Sequence, residues 1–396
     1  MCQANWLSAM YQNKEAKTSR MKNGNDCLRV LHVIGSMNLG GAETLIMNLY
    51  RNIDRDKIQF DIVVHTTEKM YFSDEILKLG GNIYCAPSFM GLNIYKYKEW
   101  WNNFFLEHPE YKIVHGHIGS TASIYLKIAK KYDRFTIAHS HNTNGKMSFL
   151  ELMFRIATYS TRYIADEFFG CSTEAGIDRY GVKIARSKRF NVIHNGIDVE
   201  KYVFSCERRK RARTELGINN DVVVWGHVGR FALQKNHKQL IEIFYEYHKV
   251  HCDSILLLFG EGPEREKIKR LTEKLAIADS VKFMGLSNRI DYFMQAMDLF
   301  IFPSIYEGLG ISVVEAQTSG LPCITSDAIV DEADIGAGLI KKIPLSAGAS
   351  YWVSAAETML KKTRKDTSQY AINAGYDIKE VAQKLQNYYL EKSSKS

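Results

Sequence analysis

Two carboxylates bracket a glycine-rich run in the segment Glu307-Gly308-Leu309-Gly310-Ile-Ser-Val-Val-Glu315. The run follows the apolar stretch Leu299–Phe302 and leads into a short helical stretch from about Ile311 that stops at Gly320, before Pro322. In open parallel sheets, ligands gather beyond the carboxyl ends of the strands. Glycines at such a place let backbone amides at a helix N-terminus close on an anion, and the helix dipole adds to the attraction. With a hydroxyl-binding acid on either side, the pattern suits a phosphate that carries a sugar. A second motif, Gly229-Arg230-Phe-Ala-Leu-Gln-Lys235-Asn236, follows the strand-like Val222–Val228. Arg230 offers a planar fork of donors and Lys235 a point charge, a combination suited to a diphosphate whose negative charge grows as it leaves. Taken singly, the first motif also reads as a capped helix start and the second as a basic surface loop. Together they describe a site.

Four histidines, His115, His117, His139 and His141, end two further strand-like stretches, Tyr111–His115 and Phe135–His139. Their His-x-His spacing raises zinc. However, an alternating pair is expected to diverge, and no cysteine or aspartate completes a compact ligand set, so no metal site is assigned. The seven cysteines are scattered and contain no Cys-x-x-Cys pair, which excludes a disulfide framework and a zinc knuckle.

The elements that must position these residues come in two series. In a chain of 396 residues two domains are expected, which permits a cleft between them. Strand-like runs alternate with helix-length segments from Leu31–Gly35 through Phe60–Val64, Tyr111–His115, Phe135–His139 and Phe168–Cys171 to Asn191–His194. A fresh series starts at Val222–Val228 and continues through Ile255–Phe259, Val281–Phe283 and Leu299–Phe302 to Cys323–Thr325. Such alternation is the mark of doubly wound parallel sheets, an α/β fold with two Rossmann-like domains. The expected division is a mobile extension over 1–27, in which Met21 is an alternative start, then domains over 28–199 and 200–375. Last comes a helix over 376–396, apolar on one stripe from Ile378 to Tyr389, that packs back across both domains.

Bulk properties narrow the class. A composition 45% hydrophobic and 24% charged is that of a globular protein. No stretch is apolar enough to span a bilayer and no signal peptide opens the chain, so a cytoplasmic protein is expected. The net charge of +8 includes the run Arg208-Arg-Lys-Arg-Ala-Arg213. It reads as a solvated helix face or as attraction to phosphates or an anionic membrane surface; no nucleic-acid module accompanies it. Trp100-Trp101-Asn-Asn-Phe104-Phe105 and Phe154–Arg162 read as core or as contacts to a membrane-bound acceptor.

The second series resembles glycosyltransferase family 4, retaining enzymes of the GT-B fold with two Rossmann-like domains facing a central cleft. The likeness rests on Gly229-Arg230 with Lys235-Asn236, Phe259-Gly-Glu-Gly-Pro263, Val281–Gly285, Asp298–Ser304 and Glu307–Glu315. In the first series Gly40-Gly41-Ala-Glu43, Ala138-His-Ser-His-Asn142 and Val192–Asp198 match as well. Within the family the chain is similar to bacterial capsule and exopolysaccharide transferases. The resemblance implies that Arg230 and Lys235 hold the donor diphosphate, Glu307 the sugar hydroxyls and Glu315 the ribose. The Gly308–Gly310 amides, Leu309 included, would meet phosphate or sugar, Leu286 the base, and Gly40, Gly41 and Gly229 would allow close backbone approach. His139 would face the transferred sugar, with His141 as its rival.

The implied reaction moves a hexose from a nucleoside diphosphate sugar, with UDP as the expected nucleotide, to a lipid-linked saccharide on the cytoplasmic face of the inner membrane. It needs neither metal nor cofactor, since Arg230 and Lys235 neutralise the leaving diphosphate, which itself assists deprotonation of the acceptor. The rival readings are a catalytically silent sugar-nucleotide-binding subunit and a GT-B phosphorylase or epimerase.

Overall fold

A computed structural model describes residues 27–141, 155–156 and 158–394. The expected N-terminal extension, apart from Cys27, lies outside the described residues, as do Asn142 and, in the 154–162 stretch, Phe154 and Ala157. The described chain forms two compact units. The first takes the residues up to Gly196 and those from Ile378 onward; the second runs Ile197–Asp377.

In the first unit seven strands form one sheet: β1 (Leu28–Val33), β2 (Ile58–Val64), β3 (Ile83–Cys85), β4 (Ile113–Gly116), β5 (Phe135–Ser140), β6 (Glu167–Gly170) and β7 (Phe190–Val192). Their order is β3-β2-β1-β4-β5-β6-β7 and all pairs are parallel. Helices cover both faces, so the central strands are apolar almost without interruption, as in the fully buried β2 stretch Phe60–Val64. On one face Leu45, Ile46 and Leu49 of the helix Gly41–Asn52 meet Ile378, Val381, Leu385 and Tyr389 of the helix Ile378–Ser394. The apolar stripe of that last helix thus completes the core of the first unit. On the other face Trp101, Phe104 and Phe105 lie buried in the helix Ile94–Glu107 against Val114 and Tyr125. The aromatic run is core, not acceptor surface.

The second unit repeats the plan with β8 (Val223–Val228), β9 (Ser254–Phe259), β10 (Val281–Gly285), β11 (Leu299–Phe302), β12 (Cys323–Ser326) and β13 (Ile340–Ile343). The order is β10-β9-β8-β11-β12-β13, again all parallel. In each unit the order reverses between two strands, β1 and β4 in one and β8 and β11 in the other. A crevice opens at the carboxyl ends of such a pair. No described helix is long and apolar enough to cross a membrane.

The basic run is turned inward. It lies on the helix Cys206–Leu216, where Arg209 and Arg213 grip the two oxygens of Asp298 at 2.5 and 2.6 Å. Asp298 also accepts the Val224 amide at 2.8 Å, and Arg213, 1% exposed, donates to the carbonyls of Ala296, Asn219 and Val222. Arg208 pairs with Asp291, and Arg211 pairs on the surface with Glu207. Carboxylates and carbonyls inside the unit, rather than an anionic partner, take up most of this charge. Asp298→Ala strands a buried guanidinium and is expected to lower stability by about 3–5 kcal/mol, read as a fall in the urea midpoint. Arg211→Ala should change it by less than about 1 kcal/mol. Equal effects would contradict this assignment.

Candidate active site

The loop after β8 and the loop after β11 are stitched together. The Ile305 amide donates to the Gln234 carbonyl and the Gln234 side-chain amide to the Tyr306 carbonyl, both at 2.8 Å. Between these bonds Lys235 Nζ meets Glu307 Oε1 at 2.6 Å, with Glu307 buried and Lys235 largely so. The ammonium also sits 4.6 Å from the centre of the Phe302 ring. Asn236 is in the left-handed region, φ 54°, where it ends one short turn and starts the helix His237–His248. The two side chains that the sequence assigned to diphosphate and sugar are therefore first of all each other's partners.

Behind this loop lies a feature that carried no role in the sequence. Gly260 and Gly262 follow β9, and a Cβ on either would stand 2.2 Å from the Gly229 carbonyl oxygen or 2.4 Å from that of Phe231. The loop bearing Arg230 is pressed against bare backbone and held by the bonds Gly229 N–H to Phe259 and Phe231 N–H to Glu261. The Gly-Glu-Gly spacing in Phe259–Pro263 was the available signal. Arg230 itself is exposed.

Across the loop, Gly308, Leu309 and Gly310 are buried and lead into the helix Ile311–Thr318. Gly310, with φ 83°, turns the chain into that helix as a side chain could not without strain. Ser312 of its first turn donates to the Val228 carbonyl at 3.2 Å, tying the helix start to the end of β8. Glu315, one turn further on, accepts a 2.7 Å hydrogen bond from the Tyr202 hydroxyl. Burial pushes its carboxyl up to about 7, against which the Tyr202 bond works in the opposite sense. Leu286, 59% exposed, follows Gly285 at the end of β10. Arg230, Lys235, Glu307, the glycine run and Glu315 thus share the carboxyl edge of one sheet.

In the first unit, Gly40 and Gly41 lie past the end of β1 at the start of the helix Gly41–Asn52. Glu43 folds back so that a Cβ on Gly40 would come within 2.3 Å of its carboxylate, and Gly41 faces open space. The histidines do not diverge. Residues two apart on a strand share a face, so His115 and His117 on one strand end and His139 and His141 on the next form one cluster, joined by His32 of β1. His115 Nε2 and His139 Nδ1 are 3.0 Å apart, His117 Nδ1 and His141 Nε2 2.7 Å, and His32 Nδ1 and His117 Nε2 2.9 Å. His115 Nδ1 meets the Tyr389 hydroxyl at 2.6 Å. Burial holds all five rings below the ordinary imidazole range, His32 to about 3 and His141 to about 4, so they are neutral at pH 7.

Comparison with known proteins settles the family. Residues 39–201 match the model of Glycosyltransferase Family 4 and residues 208–334 that of Glycosyl transferases group 1. EpsF of Bacillus subtilis (strain 168), which carries the name of a glycosyltransferase, is 33% identical over 371 residues, covering 91% of this chain and 96% of its own. The chain belongs to glycosyltransferase family 4. This glycosyltransferase also shares its fold with Anabaena Alr3699/HepE, solved in complex with UDP-glucose (TM-score 0.72, 19% identity, 92% of this chain and 99% of that one). WaaG, a glycosyltransferase involved in lipopolysaccharide biosynthesis, is comparable (TM-score 0.71, 18% identity, 91% and 99%). The fold class is therefore GT-B. A galactosyltransferase of Escherichia coli, named for transfer from UDP-Gal to α-D-GlcNAc-diphosphoundecaprenol, is 29% identical over 142 residues, 35% of this chain and 37% of its own.

The raised Glu315 carboxyl has a consequence for stability. In the unfolded chain it ionises near 4.5, while in the folded chain it keeps its proton to about 7. The folded state binds more protons in that window, so stability falls as pH rises through it, by at most about 3 kcal/mol. Glu315→Gln keeps an acceptor for Tyr202 and cannot ionise. Its urea midpoint should rise relative to the unsubstituted protein between pH 5 and pH 8, and a pH-independent difference would contradict the burial argument.

Proposed function

We propose that this enzyme transfers a hexose from a UDP-linked donor, with retention at the anomeric carbon, to a hydroxyl of a lipid-linked glycan in bacterial capsule or exopolysaccharide synthesis. The observation that carries the reading is the Lys235–Glu307 pair at the carboxyl ends of β8 and β11, flanked by a glycine-rich helix start. Arriving donor exchanges this pair for two new ones: the diphosphate takes Lys235 and Arg230, and a sugar hydroxyl takes Glu307. The amides of Gly308–Gly310 receive the remaining negative charge, Glu315 holds the ribose and Leu286 lies against the base. His139, or its neighbour His141, bonds a hydroxyl of the transferred sugar.

Catalysis in this reading is front-face. As the sugar–phosphate bond breaks, charge gathers on the diphosphate, and Arg230 and Lys235 stabilise it more than they stabilise the ground state. The departing phosphate oxygen takes the acceptor proton on the same face, so no carboxylate serves as nucleophile, and two cationic side chains do the work of a metal ion. Support for the donor comes from the solved UDP-glucose complex of Alr3699/HepE, and for the acceptor from the diphosphoundecaprenol in the name of the Escherichia coli relative. Work on the cytoplasmic face of the plasma membrane is consistent with the exposed side chains of Met90, Leu92 and Tyr95 beside Lys96 and Lys98.

A thermal-shift screen of nucleotide sugars identifies the donor, because a ligand that binds only the folded state raises the melting temperature. With that donor, Lys235→Ala and Glu307→Gln should each lower kcat/KM by about 10²–10³-fold, while melting in the absence of donor stays cooperative. Full transfer activity in either variant would refute the site. Vesicles containing anionic lipid should sediment the protein at low salt and release it at high salt; no sedimentation at low salt would remove the membrane contact.

A further inference from the structure

The five-histidine cluster exceeds what one hydrogen bond to a sugar requires. It holds two triads, His32/His115/His117 and His117/His139/His141, and within each the available ring nitrogens lie within 4.8 Å of one another. The second triad is the better placed for an incoming ligand: it ends β4 and β5, and His117 and His141 are only half-buried, whereas His32 and His115 are fully enclosed. From these observations we infer that His117, His139 and His141 form a binding site for a divalent transition-metal ion of the zinc class, with the fourth coordination position open to water.

Three features support this. First, the donor set is all imidazole, which suits zinc, cobalt, nickel or copper and disfavours magnesium and calcium. The rings are neutral at pH 7, the form in which imidazole ligates a metal without first losing a proton. Second, His139 Nε2 is buried and has no hydrogen-bond partner among the described residues. Its other nitrogen, Nδ1, is engaged by His115, whose Nδ1 in turn meets Tyr389. In the tautomer that leaves the Nε2 lone pair free, His139 Nδ1–H donates to His115 Nε2 and His115 Nδ1–H donates to the tyrosine oxygen. Such a chain behind the ligating nitrogen is the arrangement that orients metal-binding histidines. Third, His117 Nδ1 and His141 Nε2 are 2.7 Å apart. A contact of that length holds either a shared proton or, after a small opening, a metal. Two nitrogens at about 2.0–2.1 Å from a tetrahedral zinc lie roughly 3.3 Å apart, so the pair opens by only a fraction of an ångström. His32 Nδ1 lies against His117 Nε2 on the far side and orients that ring in either state.

Cobalt(II) is the probe of choice, since its d–d absorption reports tetrahedral coordination where zinc is silent. Untagged, chelator-stripped full-length protein titrated with Co²⁺ alone should develop intense visible bands that saturate at one equivalent and vanish on addition of zinc. His117→Asn and His141→Gln should each weaken Co²⁺ binding by tenfold or more. His251→Gln, at an exposed histidine paired with Glu357, should bind as before. The inference is overturned if the unsubstituted protein shows no saturable d–d bands, or if His251→Gln abolishes them as fully as the cluster variants do. The unsubstituted titration decides the matter even where a cluster variant fails to fold. Occupation would tie up His139, so, resting on the sugar contact proposed above, one equivalent of zinc should lower transfer activity. Inhibition without d–d bands would point away from this site, whereas saturable bands without inhibition would uphold the site and refute the sugar contact of His139.

Discussion

An ion pair taken largely out of water governs the rest of the second unit. Holding the Lys235 ammonium against the Glu307 carboxylate at 2.6 Å, with Phe302 beneath the charge, costs desolvation that Coulomb attraction and good geometry must offset. Either charge alone would be strongly unfavourable there, so both loops must be held where their charges meet. This accounts for the surrounding construction: the Gln234 stitches, the left-handed Asn236, the bare glycines at 260 and 262 behind the β8 loop, and Gly310 turning the other loop into its helix. A diphosphate and a sugar hydroxyl, arriving together, can replace the two partners at once. In the reading proposed above, a ligand offering only one of them leaves the other charge uncompensated, so the pair would select for molecules that carry both.

The central strands were legible because burial on both faces leaves little room for polar residues. β9 reads Ser-Ile-Leu-Leu-Leu-Phe and β11 Leu-Phe-Ile-Phe, and both were placed from that alone. Two of the four described edge strands, β3 and β13, escaped for the converse reason. β3 is three residues long, and β13 reads Ile-Lys-Lys-Ile, with lysines that an edge facing water tolerates and a central strand would not. The stripe on the terminal helix was likewise plain, but a stripe names no partner. That it meets the helix Gly41–Asn52 became clear only when the chain's two ends were brought together. The arginine run shows the same limit: its charge was evident, while the carboxylate that absorbs it, Asp298, lies 85 residues beyond Arg213.

At the proposed donor site, residue types and positions after strands were enough to put Arg230, Lys235, Glu307 and Glu315 at the carboxyl edge of one sheet, because the strand ends of a parallel sheet lie along one edge. What stayed hidden was the ion pair between Lys235 and Glu307, and the carboxyl of Glu315, which burial raises against the opposing Tyr202 hydrogen bond. For the histidines, strand alternation properly applied puts 115 with 117 and 139 with 141. The step to one five-membered cluster needs the order β1-β4-β5 and the register His32 opposite His115, which spacing along the chain does not contain.

In the proposed reaction Lys235 holds a diphosphate while Glu307 holds the sugar. Equilibrium titration of UDP and of the UDP-sugar that serves as donor, against Lys235→Met, Glu307→Leu and the unsubstituted protein, tests this most directly. Lys235→Met should lose affinity for both ligands. Glu307→Leu, which frees the lysine, should bind UDP at least as tightly as before and lose the preference for UDP-sugar over UDP. Unchanged affinity for UDP in Lys235→Met, or an undiminished preference for the sugar nucleotide in Glu307→Leu, would contradict it.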